Sequence, residues 1–292
     1  MNFARLASRV AVGGVASALA TAGMVGATST SASAAPLVSS TYTCTPPVGS
    51  PFDVPVSVDP TLLPPTAVAG FPIPSGVLSL PTTATISAAV QTGPGGLDSF
   101  GVTGAKSDDF STSFGDTVAK AAATWTKPPA ADGSGNWVYT GTAVNQAFVL
   151  PKAGTYTVSM PKTFHLVTTG ATAIPATCTT ASPAAIGSLT LSKQVATVKA
   201  TAKPKSSKKG AVVTVKGKVT NEYVKTGGPE VTGKVIIKDG KKKVGTAKIK
   251  KGKYTVKLKG LSVGVHKLTV SYKGDDYTDK GVSKEMTVTV KA

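Results

Sequence analysis

Arginine is nearly missing: the 292-residue chain has 30 lysines but only Arg5 and Arg9. Cysteine and histidine occur twice each, and aromatic residues make up 6% of the chain. Each shortage excludes something. A structural zinc site needs a Cys/His cluster, and none is present. A general acid-base or nucleophilic centre needs partners with tuned pKa, yet His165 and His266 lie far apart and no G-x-S-x-G, H-E-x-x-H or P-loop pattern occurs. The chain therefore reads as non-catalytic and implies no cofactor; aspartates in loop-like clusters leave a two-carboxylate hydrolase as the remaining enzymatic alternative. Long amphipathic stretches are also lacking, which argues against a parallel sheet with helical crossovers.

The one long apolar run is at the start. Met1 to Arg9 carries two arginines and no acid, Val10 to Ala27 is apolar or small throughout, and Ala32-Ser33-Ala34 offers an A-x-A site. Residues 1–34 read as a secretory signal peptide cleaved near Ala34, with an uncleaved membrane anchor as the competing reading. No later run approaches the roughly 20 apolar residues that a helical span needs. The expected location is extracellular or at the cell surface. In an oxidising compartment Cys44 and Cys178 are expected to pair.

Residues 35–186 are rich in Thr, Ser, Ala, Gly and Pro and contain no glutamate. Phe52 to Val58 alternates apolar and polar residues cleanly, and Trp137 to Thr142, Ala147 to Leu150, Thr155 to Met160 and Phe164 to Thr169 are similar, so a β domain is expected. Ala84 to Val90 and Thr117 to Trp125 are the only helical candidates, and the proline-dense Pro60 to Pro74 reads as an extended surface connection. Trp125, Trp137 and Tyr139 could form a sugar-stacking platform but read better as core anchors. Asp108, Asp109 and Asp116 do not match the ligand spacing of a calcium loop. With YTC near its start and PKAGTYTVSMP and PATCTT near its end, this part loosely resembles secreted domains of unknown function from Gram-positive bacteria.

Charge divides the chain. Residues 35–186 hold five lysines against seven aspartates, whereas residues 187–292 hold 25 lysines against seven acids. Between them, Thr179 to Gly187 reads as a small-residue linker, with the second domain over 190–292. Seven strands are expected there, near Ala196 to Ala202, Val212 to Thr220, Lys234 to Lys238, Val244 to Lys250, Lys253 to Leu258, Val265 to Lys273 and Glu285 to Val290. In each, apolar residues alternate with lysine and threonine, so one face enters a core and the other carries charge. On Gly233 to Gly240, Val244 to Ala247, Gly252 to Leu258 and Gly264 to Asp275 the stretch resembles the bacterial immunoglobulin-like repeat family. That resemblance implies a spacer, adhesive or binding module without catalytic residues. The whole reads as an all-β chain of two β-sandwich domains, the second immunoglobulin-like, after a cleaved signal peptide. His266 shares the parity of Leu268, Val270 and Tyr272 and is expected at the core edge with a satisfied hydrogen bond.

Two explanations compete for the lysines. Charge on outward strand positions blocks edge-to-edge pairing and keeps an exported protein soluble, which requires no partner. Alternatively, Lys216, Lys218, Lys234, Lys238, Lys241, Lys242, Lys243, Lys248, Lys250, Lys251, Lys253, Lys257 and Lys259 form a surface for anionic cell-wall polymers. Missing arginines and a lack of interleaved aromatics argue against sequence-specific nucleic-acid binding. If the lysines serve solubility only, the first domain becomes the binding unit for a surface carbohydrate or protein.

Overall fold

The computed structural model describes residues 37–292, so the signal peptide read over residues 1–34 lies outside the described residues. The chain is all-β. In its first half the strands are β1 (Val38–Thr45), β2 (Phe52–Val58), β3 (Thr66–Val68), β4 (Pro72–Ile73) and β5 (Ser79–Ile86). Then come β6 (Val102–Ser107), β7 (Thr112–Phe114), β8 (Thr117–Ala119), β9 (Ala121–Thr126) and β10 (Trp137–Asn145). The half ends with β11 (Phe148–Val149), β12 (Gly154–Ser159), β13 (Thr163–Gly170), β14 (Pro175–Thr179) and β15 (Ala185–Ser192).

The sandwich expected here has its edges joined. Strands β1-β14-β13-β6-β9-β10-β5-β2 close into an eight-stranded ring, and a second sheet, β3-β15-β12-β7-β8, packs beside it. The seam between β1 and β14 has only three register pairs, Thr43 with Thr179, Cys44 with Cys178 and Thr45 with Thr177. The Cys44–Cys178 disulfide lies on that seam, with both cysteines fully buried. Inside the ring, Tyr42, Phe110, Trp125 and Phe164 meet mostly edge to face, with centroids 4.9 to 6.2 Å apart. Such contacts add about 0.5–1.5 kcal/mol each beyond the area they bury.

Three local expectations are corrected. Thr117 to Trp125 reads as a helix from its alanines, but it forms β8 and β9, because Ala121, Ala123 and Trp125 repeat every second residue and point into the ring. Pro60 to Pro74 includes β3 and β4 as well as a 3-10 turn at Pro60–Leu62, since a sheet edge tolerates proline. The supposed linker at 179–187 contains the end of β14 and the start of β15, and β15 pairs along β12.

The second half has a separate core. Its strands are β16 (Thr197–Lys203), β17 (Ser206–Lys208), β18 (Val213–Thr220), β19 (Lys234–Asp239) and β20 (Lys242–Lys248). They continue with β21 (Lys253–Leu258), β22 (Gly264–Tyr272), β23 (Gly281–Val282) and β24 (Met286–Lys291). A three-stranded sheet β16-β18-β21 faces a sheet β17-β24-β22-β19-β20, to which β23 adds through β22. Val213, Val215, Tyr254 and Leu258 from one sheet pack against Ile237, Leu268, Val270 and Val288 from the other. Burying such a side chain is worth about 1.5–3 kcal/mol. Gly217 sits opposite the Tyr254 ring: a Cβ there would lie 2.4 Å from the Tyr254 hydroxyl, which donates to the Lys199 carbonyl at 2.9 Å.

Leu37 to Ala292 form one compact unit. Between β15 and β16, Gln194 is 3% exposed and makes four hydrogen bonds. Its backbone N–H donates to Tyr277 O at 2.8 Å and its carbonyl accepts from Asp279 N at 2.8 Å. Its side chain donates to Ala69 O at 2.7 Å and accepts from Tyr223 N at 3.3 Å. Phe71 and Tyr223 meet edge to face across the same junction, and Tyr277 packs on the core of the first half.

Candidate functional site

Register decides which lysines share a surface. In the three-stranded sheet, inward positions are apolar and outward ones are only lysine or threonine. Lys199, Lys218 and Lys253 lie side by side in one row, Thr201, Lys216 and Thr255 form the next, and Lys203, Thr214 and Lys257 the third. Rows are roughly 6.7 Å apart along the strands and neighbours roughly 4.8 Å apart across them. All six lysines are exposed. None of the ion pairs among the described residues includes any of them.

The opposite face differs. It carries Lys234, Lys238, Lys243 and Lys248 on β19 and β20, with Lys234 opposite Lys248 and Lys238 opposite Lys243. Here, however, Ile236, Thr269 and Ser271 intervene, and Lys267 lies 3.6 Å from Glu285. Lys241 is in the turn between β19 and β20, Lys250 and Lys251 lie between β20 and β21, and Lys259 follows β21. Thus the 13 lysines singled out from the sequence do not form one site: Lys216, Lys218, Lys253 and Lys257 share one face, and the rest are on the other face or in turns. Lys199 and Lys203 complete the first face and were missed. Their alternation in Val198 to Lys203 is visible, but only cross-strand pairing with β18 places them there.

His266 is the buried titratable group of the His–Asp pair in this half, its side chain 7% exposed. Its Nδ1 lies 2.6 Å from Asp239 Oδ2 and its Nε2 2.8 Å from Ser262 O. Both neighbours are acceptors, so the arrangement favours the protonated ring, in which both nitrogens donate. The Asp239 hydrogen bond, then that of Ser262, raises its pKa above the usual histidine value against the opposing effect of burial. A raised folded value stabilises the protein fully below about pH 6.5, and this contribution is lost as pH rises through the folded pKa. NMR titration should place His266 above 6.5, and His266→Gln should abolish the associated fall in stability on the alkaline side; a value below 6.5 would refute the assignment.

The acids and aromatics considered from sequence have other duties. Asp109 accepts from the His165 N–H at 2.8 Å, and its Oδ2 lies 2.7 Å from His165 Nδ1. Asp275 accepts from the backbone of Thr232, Tyr277 and Thr278. Among the described residues, no group of three or more His, Cys, Asp or Glu stands close enough to share a metal ion. Trp125 and Tyr139 are buried in the ring, while Lys127 lies 4.5 Å over the Trp137 ring, so the three aromatics make no common platform. A cavity of about 340 Å³ beside the ring is lined by Phe110, Phe114, Phe148, aliphatic side chains and the polar Ser79, Thr112 and Asn145, with no charged residue. The Asn145 side chain at its wall donates to Pro74 O and Gln146 O and accepts from Leu78 N, which commits its amide to the fold.

Comparisons with known proteins bear on the second half. No curated protein matches the chain. A Corynebacterium diphtheriae protein described as membrane anchored aligns with 12% identity and a TM-score of 0.37, over 87% of this chain and 59% of its own. Fibronectin(III)-like modules of Clostridium thermocellum CbhA align at 15% identity and 0.28, over 81% and 94%. The Yersinia pseudotuberculosis adhesin InvE aligns at 13% and 0.30, over 80% and 60%. The chain therefore spans about three fifths of the Corynebacterium and Yersinia structures. The match that carries weight is to a family model: residues 200–291 fit the bacterial Ig-like domain (group 3), and this stretch of the chain is such a domain.

Proposed function

We propose that the protein is a non-catalytic, extracellular component of a bacterial surface, in which the Ig-like half holds the chain electrostatically to anionic polymers of the cell envelope. The supporting observation is the three-stranded face, where six exposed lysines have no carboxylate partner among the described residues. Directly opposed like charges destabilise a sheet. An anionic partner would remove that cost. The non-catalytic part of this reading is supported by what the titratable groups do: each histidine is bound to one aspartate, and among the described residues no cysteine is free.

The test is retention on isolated cell walls. The Debye length shrinks from about 10 Å at 0.1 M salt to about 3 Å at 1 M. The purified protein should sediment with walls at low ionic strength and elute well before 1 M. If it stays in the supernatant at low salt, the lysines act in solubility only.

A further inference from the structure

We infer that the outward face of β16-β18-β21 is the docking surface, and that its ligand is a linear phosphate-bearing polymer without bases. The inference rests on the retention reading above and adds to it a location and an anion class.

Location follows from a contrast between two faces of one sandwich. On the β19-β20 side, Ile236, Thr269 and Ser271 interrupt the lysines and Glu285 pairs with Lys267. On the three-stranded side, the row Lys199-Lys218-Lys253 brings three ammonium groups abreast, and the neighbouring rows add Lys216, Lys203 and Lys257. A sheet shaped for its own stability would intersperse carboxylates here. This one keeps a repulsive grid that an incoming polyanion relieves.

The anion class follows from what stands between the lysines. Only threonines do, and among those on the three strands Thr201 alone uses its hydroxyl within the fold, donating to Lys216 O at 3.3 Å. An ammonium and a hydroxyl side by side can serve two unesterified oxygens of one phosphodiester, with lysine acting as a point charge. No aromatic is available for base stacking and no arginine for reading base edges. Nothing projects from this pleated surface to enter the groove of a duplex. A thin, extended chain of phosphates lying along the strands fits these constraints.

Two variants of equal charge change separate the alternatives. Lys199→Gln/Lys218→Gln/Lys253→Gln alters the proposed face, and Lys234→Gln/Lys243→Gln/Lys248→Gln the opposite one. Binding to inorganic polyphosphate is measured against salt, with polyglutamate and duplex DNA as further arms, and each variant is also tested on walls. The first variant should weaken polyphosphate binding at least tenfold at 0.1 M salt and reduce the slope of log K against log salt by about 2, the single-strand value for three lost contacts. The second should cost less than threefold, and wild-type binding to polyglutamate or DNA should be at least tenfold weaker than to polyphosphate. Equal losses in both variants would overturn the location, and equal affinity for polyglutamate or DNA the anion class. Failure of the wild type to bind walls at all would instead sink the retention reading. The exposed lysines should be dispensable for folding; a first variant melting more than 5 °C below wild type would also overturn the inference.

Discussion

Removing both cysteines, as Cys44→Ala/Cys178→Ala, should cost about 3–5 kcal/mol. The disulfide spans 134 residues, for which the chain-entropy relation gives about 5 kcal/mol. Its place matters as much as its span. The ring closes where β1 meets β14 over three register pairs, while β1 meets β2 over seven. The chain must bring its first and last ring strands together at a short seam, and the covalent link keeps them together in the denatured ensemble. For a chain of this size the loss corresponds to a fall of roughly 10 °C in Tm. Hydrogen exchange should accelerate first at β1 and β14. If the double variant loses less than about 1 kcal/mol, the seam is held by packing of Tyr42 against Phe164 and the covalent link is incidental.

Asp275→Ala should cost about 3 kcal/mol. One carboxylate oxygen accepts from Tyr277 N at 3.0 Å and Thr278 N at 2.7 Å. The other accepts from Thr232 N at 2.8 Å and Thr232 Oγ1 at 3.1 Å. Hydrogen bonds to an ionised group contribute about 1.5–3 kcal/mol each, less than additively within one cluster, and the donors left behind include fully buried Thr278. Burial alone would raise the Asp275 pKa, but the three backbone donors outweigh it and the net shift is downward. A depressed folded value means that the contribution is complete above the unfolded value of about 3.9 and is lost as pH falls below it through the lower folded pKa. Acid titration of stability should therefore be shallower in the alanine variant than in the wild type. Asp275→Asn, which keeps one acceptor oxygen, should lose about half as much. A loss below 1 kcal/mol in Asp275→Ala would show that the loop is organised by Tyr277 packing instead.

The two halves were unequally legible from sequence. In the Ig-like half, valine and lysine alternate with high contrast, so β21 is read at its observed bounds and most other strands within about two residues. The short β17 and β23 escape, because two or three residues carry no period. In the first half the inward residues of β9 are mainly alanine and the outward ones alanine and threonine, so burial leaves little trace in hydropathy and helix propensity wins the reading. Ring closure depends on partners 134 residues apart, which no local pattern records. The same limit applies to the site: each lysine-bearing strand was visible, but which faces they share is a property of register. His266 was legible because its parity matched three buried neighbours, yet Asp239 as its partner became visible only through the β19-β22 pairing.

Gln194 has one further consequence. Four hydrogen bonds on one buried residue, with Phe71 against Tyr223 beside it, leave the passage between the halves little slack. A flexible tether would let the ring half swing through a wide cone; for that swing these four hydrogen bonds and the Phe71–Tyr223 contact would first have to break. If the charged sheet does lie on an envelope polymer, while those contacts hold, the cavity lined by Phe110, Phe114 and Phe148 would keep one tilt to it.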